Sequence, residues 1–168
     1  TEYYPGQAVL RTADIAIVAK ADSASPAQVR KAMASAEMLC PIARILRGAS
    51  PVALDHPEFV KGKRVLVVED GPSLSHGGMQ WGAGYVGAVA AGAQEIVDPR
   101  RSAAPELARI FDEYPHIGPV LPAMGYSISQ REELKATIEG SDADVIVAGT
   151  PIDLKRVLNL TKMVVRAS

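Results

Sequence analysis

The segment Gly71-Pro72-Ser73-Leu74-Ser75-His76-Gly77-Gly78-Met79 gathers two hydroxyls, one imidazole and three glycines within nine residues. Glycine lets a backbone approach an anion closely, and Ser73, Ser75 and His76 add donors, so this composition suits capture of a phosphate or carboxylate. An apolar run leads in and a helical pattern follows. Free N–H groups at the start of that helix should therefore point toward the loop. The expected arrangement has backbone N–H groups near Gly77 and Gly78 holding an oxyanion while His76 donates a charge-assisted bond. The competing reading is a flexible turn ahead of a helix packed tightly through Gly82, Gly84, Gly87 and Gly92. Each of those glycines costs a helix about 1 kcal/mol relative to Ala. The spacing matches neither GxxxxGK[ST] nor GxGxxG, and a Walker A motif is absent from the chain.

Three further polar segments follow apolar runs: Lys20-Ala21-Asp22, Asp98-Pro99-Arg100-Arg101 and Gly149-Thr150-Pro151-Ile152-Asp153. In open α/β sheets ligands bind beyond the carboxyl ends of the strands, so connectivity should gather all of these on one edge. The anion-binding set expected there is Gly71, Ser73, Ser75, His76, Gly77, Gly78, Arg100, Thr150 and Asp153, with His76 and Arg100 as catalytic candidates. His56, His76 and His116, with Asp70 and Asp98, show no metal-ligand spacing, so no metal site is expected within the chain. His116 reads as a structural loop histidine and His56 as a solvated one. A Ser–His–Asp hydrolase lacks its GxSxG. Cys40, the one cysteine, lies in the apolar passage Met38-Leu39-Cys40-Pro41-Ile42 and reads as a small core residue.

The elements that must position these residues follow from periodicity. Continuous apolar runs at 15–18, 65–68, 95–97 and 145–148 read as buried strands, with weaker runs at 42–46 and 163–165. Helix starts are signalled by Ser25-Pro26-Ala27-Gln28, Ala104-Pro105-Glu106, Ser129-Gln130-Arg131-Glu132 and Thr150-Pro151-Ile152-Asp153. Strand and helix alternate, which predicts an α/β, Rossmann-like three-layer fold with a mostly parallel sheet. The polar stretch from Ser50-Pro51 to Gly62-Lys63 predicts a boundary between residues 1–50 and 51–168.

Composition narrows the functional classes. Of 168 residues, 48% are apolar and 22% charged, enough for a sizeable core. A net charge of −1 and sparse aromatics argue against nucleic acid and against an anionic membrane surface. A lone cysteine excludes an intrachain disulfide, and no apolar run is long enough to span a bilayer. The expected compartment is the cytoplasm.

A longer series of motifs runs through the chain. Val65-Leu66-Val67-Val68-Glu69-Asp70-Gly71-Pro72, His76-Gly77-Gly78-Met79, Gly82-Ala83-Gly84 and Glu95-Ile96-Val97-Asp98-Pro99-Arg100 occur in order. Tyr114-Pro115-His116-Ile117-Gly118, Leu121-Pro122-Ala123-Met124-Gly125-Tyr126 and Gly149-Thr150-Pro151-Ile152-Asp153-Leu154 follow. The series closely resembles the C-terminal region of the cyclic 2,3-diphosphoglycerate synthetase family, which includes many predicted P-loop GTPases. The resemblance implies a longer protein with a P-loop domain carrying Walker A, of which residues 1–50 would be the C-terminal tail. Asp14-Ile15-Ala16-Ile17-Val18-Ala19-Lys20-Ala21-Asp22 then stands where such proteins place NKxD. Lys20 and Asp22 would hold the base of ATP or GTP bound with Mg²⁺, with Ala19 in place of the Asn.

The resemblance further implies phosphoryl transfer to a small phosphorylated metabolite. His76, Arg100, Arg101, Lys155 and Arg156 are the cations that would draw phosphates together. The implied partners are that substrate and the missing N-terminal P-loop region, with neither nucleic acid nor membrane, and a homo-oligomer is compatible with the scheme. The other reading of the same residues is a non-catalytic ligand-sensing or assembly module of a predicted GTPase.

Overall fold

The structure, a computed structural model, describes residues 4–124 and 127–168. Gly125 and Tyr126 of the motif series lie outside the described residues. The chain divides into two compact units, Thr1–Pro51 and Val52–Ser168.

In the first unit, helix α1 (Tyr4–Arg11) precedes strand β1 (Ile15–Val18), helix α2 (Pro26–Leu39) and strand β2 (Arg44–Arg47). Ser25 and Gln28 make the expected reciprocal cap at the start of α2. β1 and β2 pair in parallel, with Ala16 opposite Ile45 and Ile17 opposite Leu46. Ala16, Ala36 and Cys40 form a small core with Leu10, Ala43 and Ile45. Cys40 is fully buried there. The expectation of buried strands fails in this unit, because Ile15 and Ile17 are 57% and 64% exposed. Side chains alternate along a strand, so burying Ala16 against α2 turns both isoleucines the other way.

The second unit contains β3 (Arg64–Asp70), α3 (Gly71–Ser75), α4 (Ala83–Ala90), β4 (Glu95–Ile96), α5 (Pro105–Glu113), β5 (Leu121–Ala123), α6 (Ile128–Glu139), β6 (Val145–Gly149), α7 (Leu154–Leu158) and β7 (Met163–Arg166). It is a Rossmann-like three-layer α/β fold, and all its strand pairs are parallel. β3 is central. β6 lies along one edge of it, and β7 lies beyond β6. β4 pairs with Arg64 and Val65, whereas β5 pairs with Val68 to Asp70. Both overlap positions that also face β6, so β4 and β5 share the opposite edge end to end. The chain therefore leaves β3 toward one side and returns across it to β6. That reversal makes the carboxyl ends of β3 and β6 a topological switch point.

Val65 to Val68 and Ile146 to Ala148 are almost wholly buried, as strands covered on both faces must be. α4 packs on β3 and β6 through its glycines. A Cβ at Gly84 would lie 3.0 Å from Val67 Cγ1, and one at Gly87 would lie 2.7 Å from Leu54 Cδ2. Close packing thus accounts for glycines that weaken the helix. Two start signals move. The cap of α6 is Ser127 with Gln130 rather than Ser129, whose hydroxyl instead meets Ser127 Oγ at 3.0 Å. The cap of α7 is Asp153, while Thr150 Oγ1 accepts the Ile152 N–H in a local turn.

Candidate functional site

The carboxyl end of β3 carries Glu69, which the sequence places in the polar segment Glu69-Asp70-Gly71-Pro72 at the sheet edge but which was not among the expected site residues. It stands opposite Gly149 of β6 and Pro122 of β5, and only 2% of it is exposed. Its Oε1 accepts the N–H of Gly82 at 3.0 Å and of Tyr85 at 2.8 Å. Gly82 is the N-cap of α4 and has no side chain, so Glu69 supplies the cap from a different element. A Cβ on Gly82 would press 2.6 Å from Glu69 Oε2, and one on Gly149 would collide with the same oxygen. One carboxylate and the glycines at 82, 84 and 149 thus form a single packed group at the switch point. Burial pushes the Glu69 carboxyl above its ordinary range. The backbone N–H groups of Tyr85, Gly84 and Gly82 oppose that shift, and the nearby Asp70 charge reinforces it.

Several donors of the expected anion site have partners within the protein. At the start of α4, the N–H groups of Gly82 and Tyr85 are satisfied by the protein's own carboxylate. A short helix, α3, intervenes between β3 and the glycine pair, so Gly77 and Gly78 follow a helix end rather than a strand end. The N–H groups of His76 and Gly77 both return to Pro72 O, at 3.0 and 3.2 Å. Gly77 is required because a Cβ would strike Ser73 O, and Gly78 turns the chain at φ +64°. The Gly77 N–H is therefore committed to the end of α3.

The predicted hydroxyls are similarly engaged. Ser73 Oγ donates to Asp70 Oδ2 at 2.8 Å, and Asp70 caps α3 through the Ser73 N–H. Buried Ser75 Oγ donates to Gly71 O at 3.0 Å and meets His76 Nδ1 at 2.9 Å. A hydroxyl has one proton, so when Ser75 Oγ donates to Gly71 O the His76 Nδ1–H donates to Ser75 Oγ, and the lone pair of the neutral ring is on Nε2. When Ser75 Oγ donates to His76 Nδ1 instead, Nε2 carries the proton and can donate to an anion. Gly71 is fixed by Met124, whose Sδ would lie 2.5 Å from an added Cβ. Thr150, 4% exposed, and Asp153 serve the turn and cap before α7.

Arg100 is a clamp rather than a free cation. Its guanidinium donates to Ile117 O at 2.7 Å, Gly118 O at 3.1 Å and Asp98 Oδ1 at 3.2 Å, and it lies 4.3 Å over the Phe111 ring. Arg101 pairs with Glu95 at the opposite end of the sheet edge. His116 holds the same loop from the other side, with Nε2 donating to Leu74 O at 2.9 Å. His56 is solvated beside Glu58. Among the described residues, no group of three or more His, Cys, Asp or Glu is placed to hold a metal. No described helix is long and apolar enough to cross a membrane.

In the first unit, Lys20 adopts a left-handed conformation at φ 55° and lines a groove of about 440 Å³ with Val18, Ala19, Ser23 and Gln28. Asp22 Oδ1 instead accepts the Ser50 N–H at 3.0 Å, tying the turn to the chain after β2. Lys20 reaches the groove, while Asp22 does not line it.

Comparison with known proteins gives a relative named Arginine synthetase ArcE, from Thermococcus kodakarensis. It is 49% identical over 165 residues, a match that takes in 98% of this chain. The chain spans 37% of that relative's length. No family profile matches the chain, and no solved structure matches it.

Proposed function

We propose that this chain is part of a nucleotide-dependent synthetase of the arginine-forming kind, and that its second unit holds the amino-acid substrate or product at the β3/β6 switch point. The observation that carries the reading is the buried Glu69 carboxylate at that point, in a chain alike along almost its whole length to a protein named for arginine synthesis. Acids stand on both sides of it. Glu69 and Asp70 end β3, Asp153 follows β6, and the Arg100 guanidinium is already committed to carbonyls and Asp98. Carboxylates match the N–H groups of a guanidinium or ammonium, as paired planar groups do.

A phosphorylated acid, as the cyclic 2,3-diphosphoglycerate synthetase resemblance implies, remains a second reading. The observation in its favour is the exposed His76 ring beside Gly78. Its other expected donors, the Gly77 N–H and Arg100, have internal partners.

Nucleotide enters as a proposal about the longer protein. ATP or GTP with Mg²⁺ would supply phosphoryl activation, and the Lys20 groove would contribute only part of a base pocket. The chain lacks the Walker A lysine and glycine loop, so it should release no phosphate from ATP or GTP alone. Calorimetric titration of the whole chain with L-arginine, inorganic phosphate and a phosphoglycerate tests the substrate class. Binding of arginine, weakened at least tenfold by Asp70→Asn, supports the amino-acid reading. Binding of the phosphoglycerate alone, lost in His76→Ala, replaces it.

A further inference from the structure

His76 is an exposed histidine at the end of α3, and among the described residues its ring is bonded through Nδ1 alone. Ser75 Oγ contacts Gly71 O at 3.0 Å and His76 Nδ1 at 2.9 Å. Only one placement of protons makes hydrogen bonds of both contacts. The hydroxyl donates to the carbonyl, and Nδ1–H donates to the hydroxyl. The lone pair of the neutral ring then stands on exposed Nε2. Gly78 and Met79 follow, and no described residue accepts their backbone N–H groups. The other two histidines lack this combination. His116 commits its Nε2 proton to Leu74 O, so that nitrogen has no lone pair to offer. His56 lies 3.0 Å from the Glu58 carboxylate and directly follows Asp55, charges that repel an incoming phosphate.

We infer that His76 Nε2 is a phosphoryl acceptor, a nucleophile that takes the γ-phosphoryl group of a nucleoside triphosphate, with Ser75 as its positioning residue. The Nε2 lone pair forms the N–P bond as the bond from the γ-phosphorus to the β-phosphate oxygen breaks. That oxygen leaves with the electron pair, as the nucleoside diphosphate. Nδ1 keeps its proton on Ser75 Oγ, so the ring gains one positive charge and nothing is oxidised or reduced. A substrate oxygen that attacks the same phosphorus returns the electron pair to Nε2 and the ring to neutrality. The N–H groups of Gly78 and Met79 are the donors available to the phosphoryl oxygens. The chain has no Walker A loop to hold a γ-phosphate, and a covalent carrier gives the second unit a part in phosphoryl transfer without one. The inference rests on the nucleotide-dependent reading and is independent of which substrate class the switch point binds.

The test incubates the whole chain with phosphoramidate, a phosphoryl donor small enough to need no nucleotide pocket. Peptide mass spectrometry locates the acid-labile label, and phosphorus NMR identifies the nitrogen that carries it. His76 should be labelled at least tenfold faster than His56, on Nε2, and His116 should stay unlabelled. Ser75→Ala should lower the ratio of His76 to His56 labelling severalfold, with continued protection of His116 reporting that the variant is folded. The label requires no nucleotide, so failure at His76 is told apart from failure of the nucleotide reading, which ATP turnover by the whole Thermococcus relative tests. Four results would overturn the inference: no label on His76, equal rates at His76 and His56, phosphorus on Nδ1, or a ratio that Ser75→Ala leaves unmoved while His116 stays protected.

Discussion

At the scale of the residue, Glu69 concentrates the chemistry of the second unit. Its carboxyl is raised by burial, so the folded state binds the proton more tightly than the unfolded state does. Its contribution to stability is then full below the ordinary carboxyl range and is lost as pH rises through the raised folded value. Glu69→Gln should flatten that part of the pH–stability curve, since the amide oxygen can still accept from Gly82 and Tyr85. Glu69→Ala leaves both N–H groups without their acceptor and should cost about 1–3 kcal/mol by urea denaturation at neutral pH. Equal stability of Ala and parent would show that α4 needs no such cap. Gly149→Ala should cost about 1–3 kcal/mol through overpacking, and combining it with Glu69→Ala should recover part of that loss. The sequence shows Glu69 only as one acid in a polar segment after a strand. Its inward direction depends on β6 bringing Gly149 beside it, a contact between residues 80 positions apart that no local pattern encodes.

At the scale of the element, the strands were legible because their apolar runs are continuous. All six expected runs form strands, at 15–18, 44–47, 64–70, 95–96, 145–149 and 163–166. β5 was missed because Leu121-Pro122-Ala123 contains proline, which a strand tolerates only with its missing donor turned from the ladder. The helix caps were legible to within a few residues. Ser127 prevails over Ser129 because it pairs reciprocally with Gln130. The internal bonds of Arg100 were not legible, since a cation after a strand looks the same whether it awaits a phosphate or clamps a loop. Its bonds to Ile117 O and Gly118 O predict that Arg100→Ala loosens the 114–118 connection and costs about 1.5–3 kcal/mol. Chemical denaturation checks this. Unchanged stability with lost ligand binding would return Arg100 to the substrate site. Gly77→Val should likewise destabilise the end of α3, because the added side chain meets Ser73 O.

At the scale of the molecule, the Rossmann-like class follows from the alternation of strands and helices, but the strand order does not. Only the pairings of β3 with β4, β5 and β6 reveal where the chain reverses, and that reversal selects one part of the sheet edge among several polar loops. The fold brings Glu69, Asp70, Gly82, Gly84, Gly149 and Thr150 to that edge. It engages the Gly77 N–H and Arg100 in loop contacts, Asp70 and Asp153 as helix caps, and Thr150 in a turn. Where a small ligand contacts the second unit therefore decides between the two substrate classes. Backbone amide chemical-shift mapping with L-arginine, followed by a phosphoglycerate, reads that location directly. The predicted result is a set of arginine-dependent shifts confined to residues 69–71, 82–85 and 149–151, abolished by Asp70→Asn. Shifts produced only by the phosphoglycerate and centred on residues 76–78, with arginine silent, would contradict it.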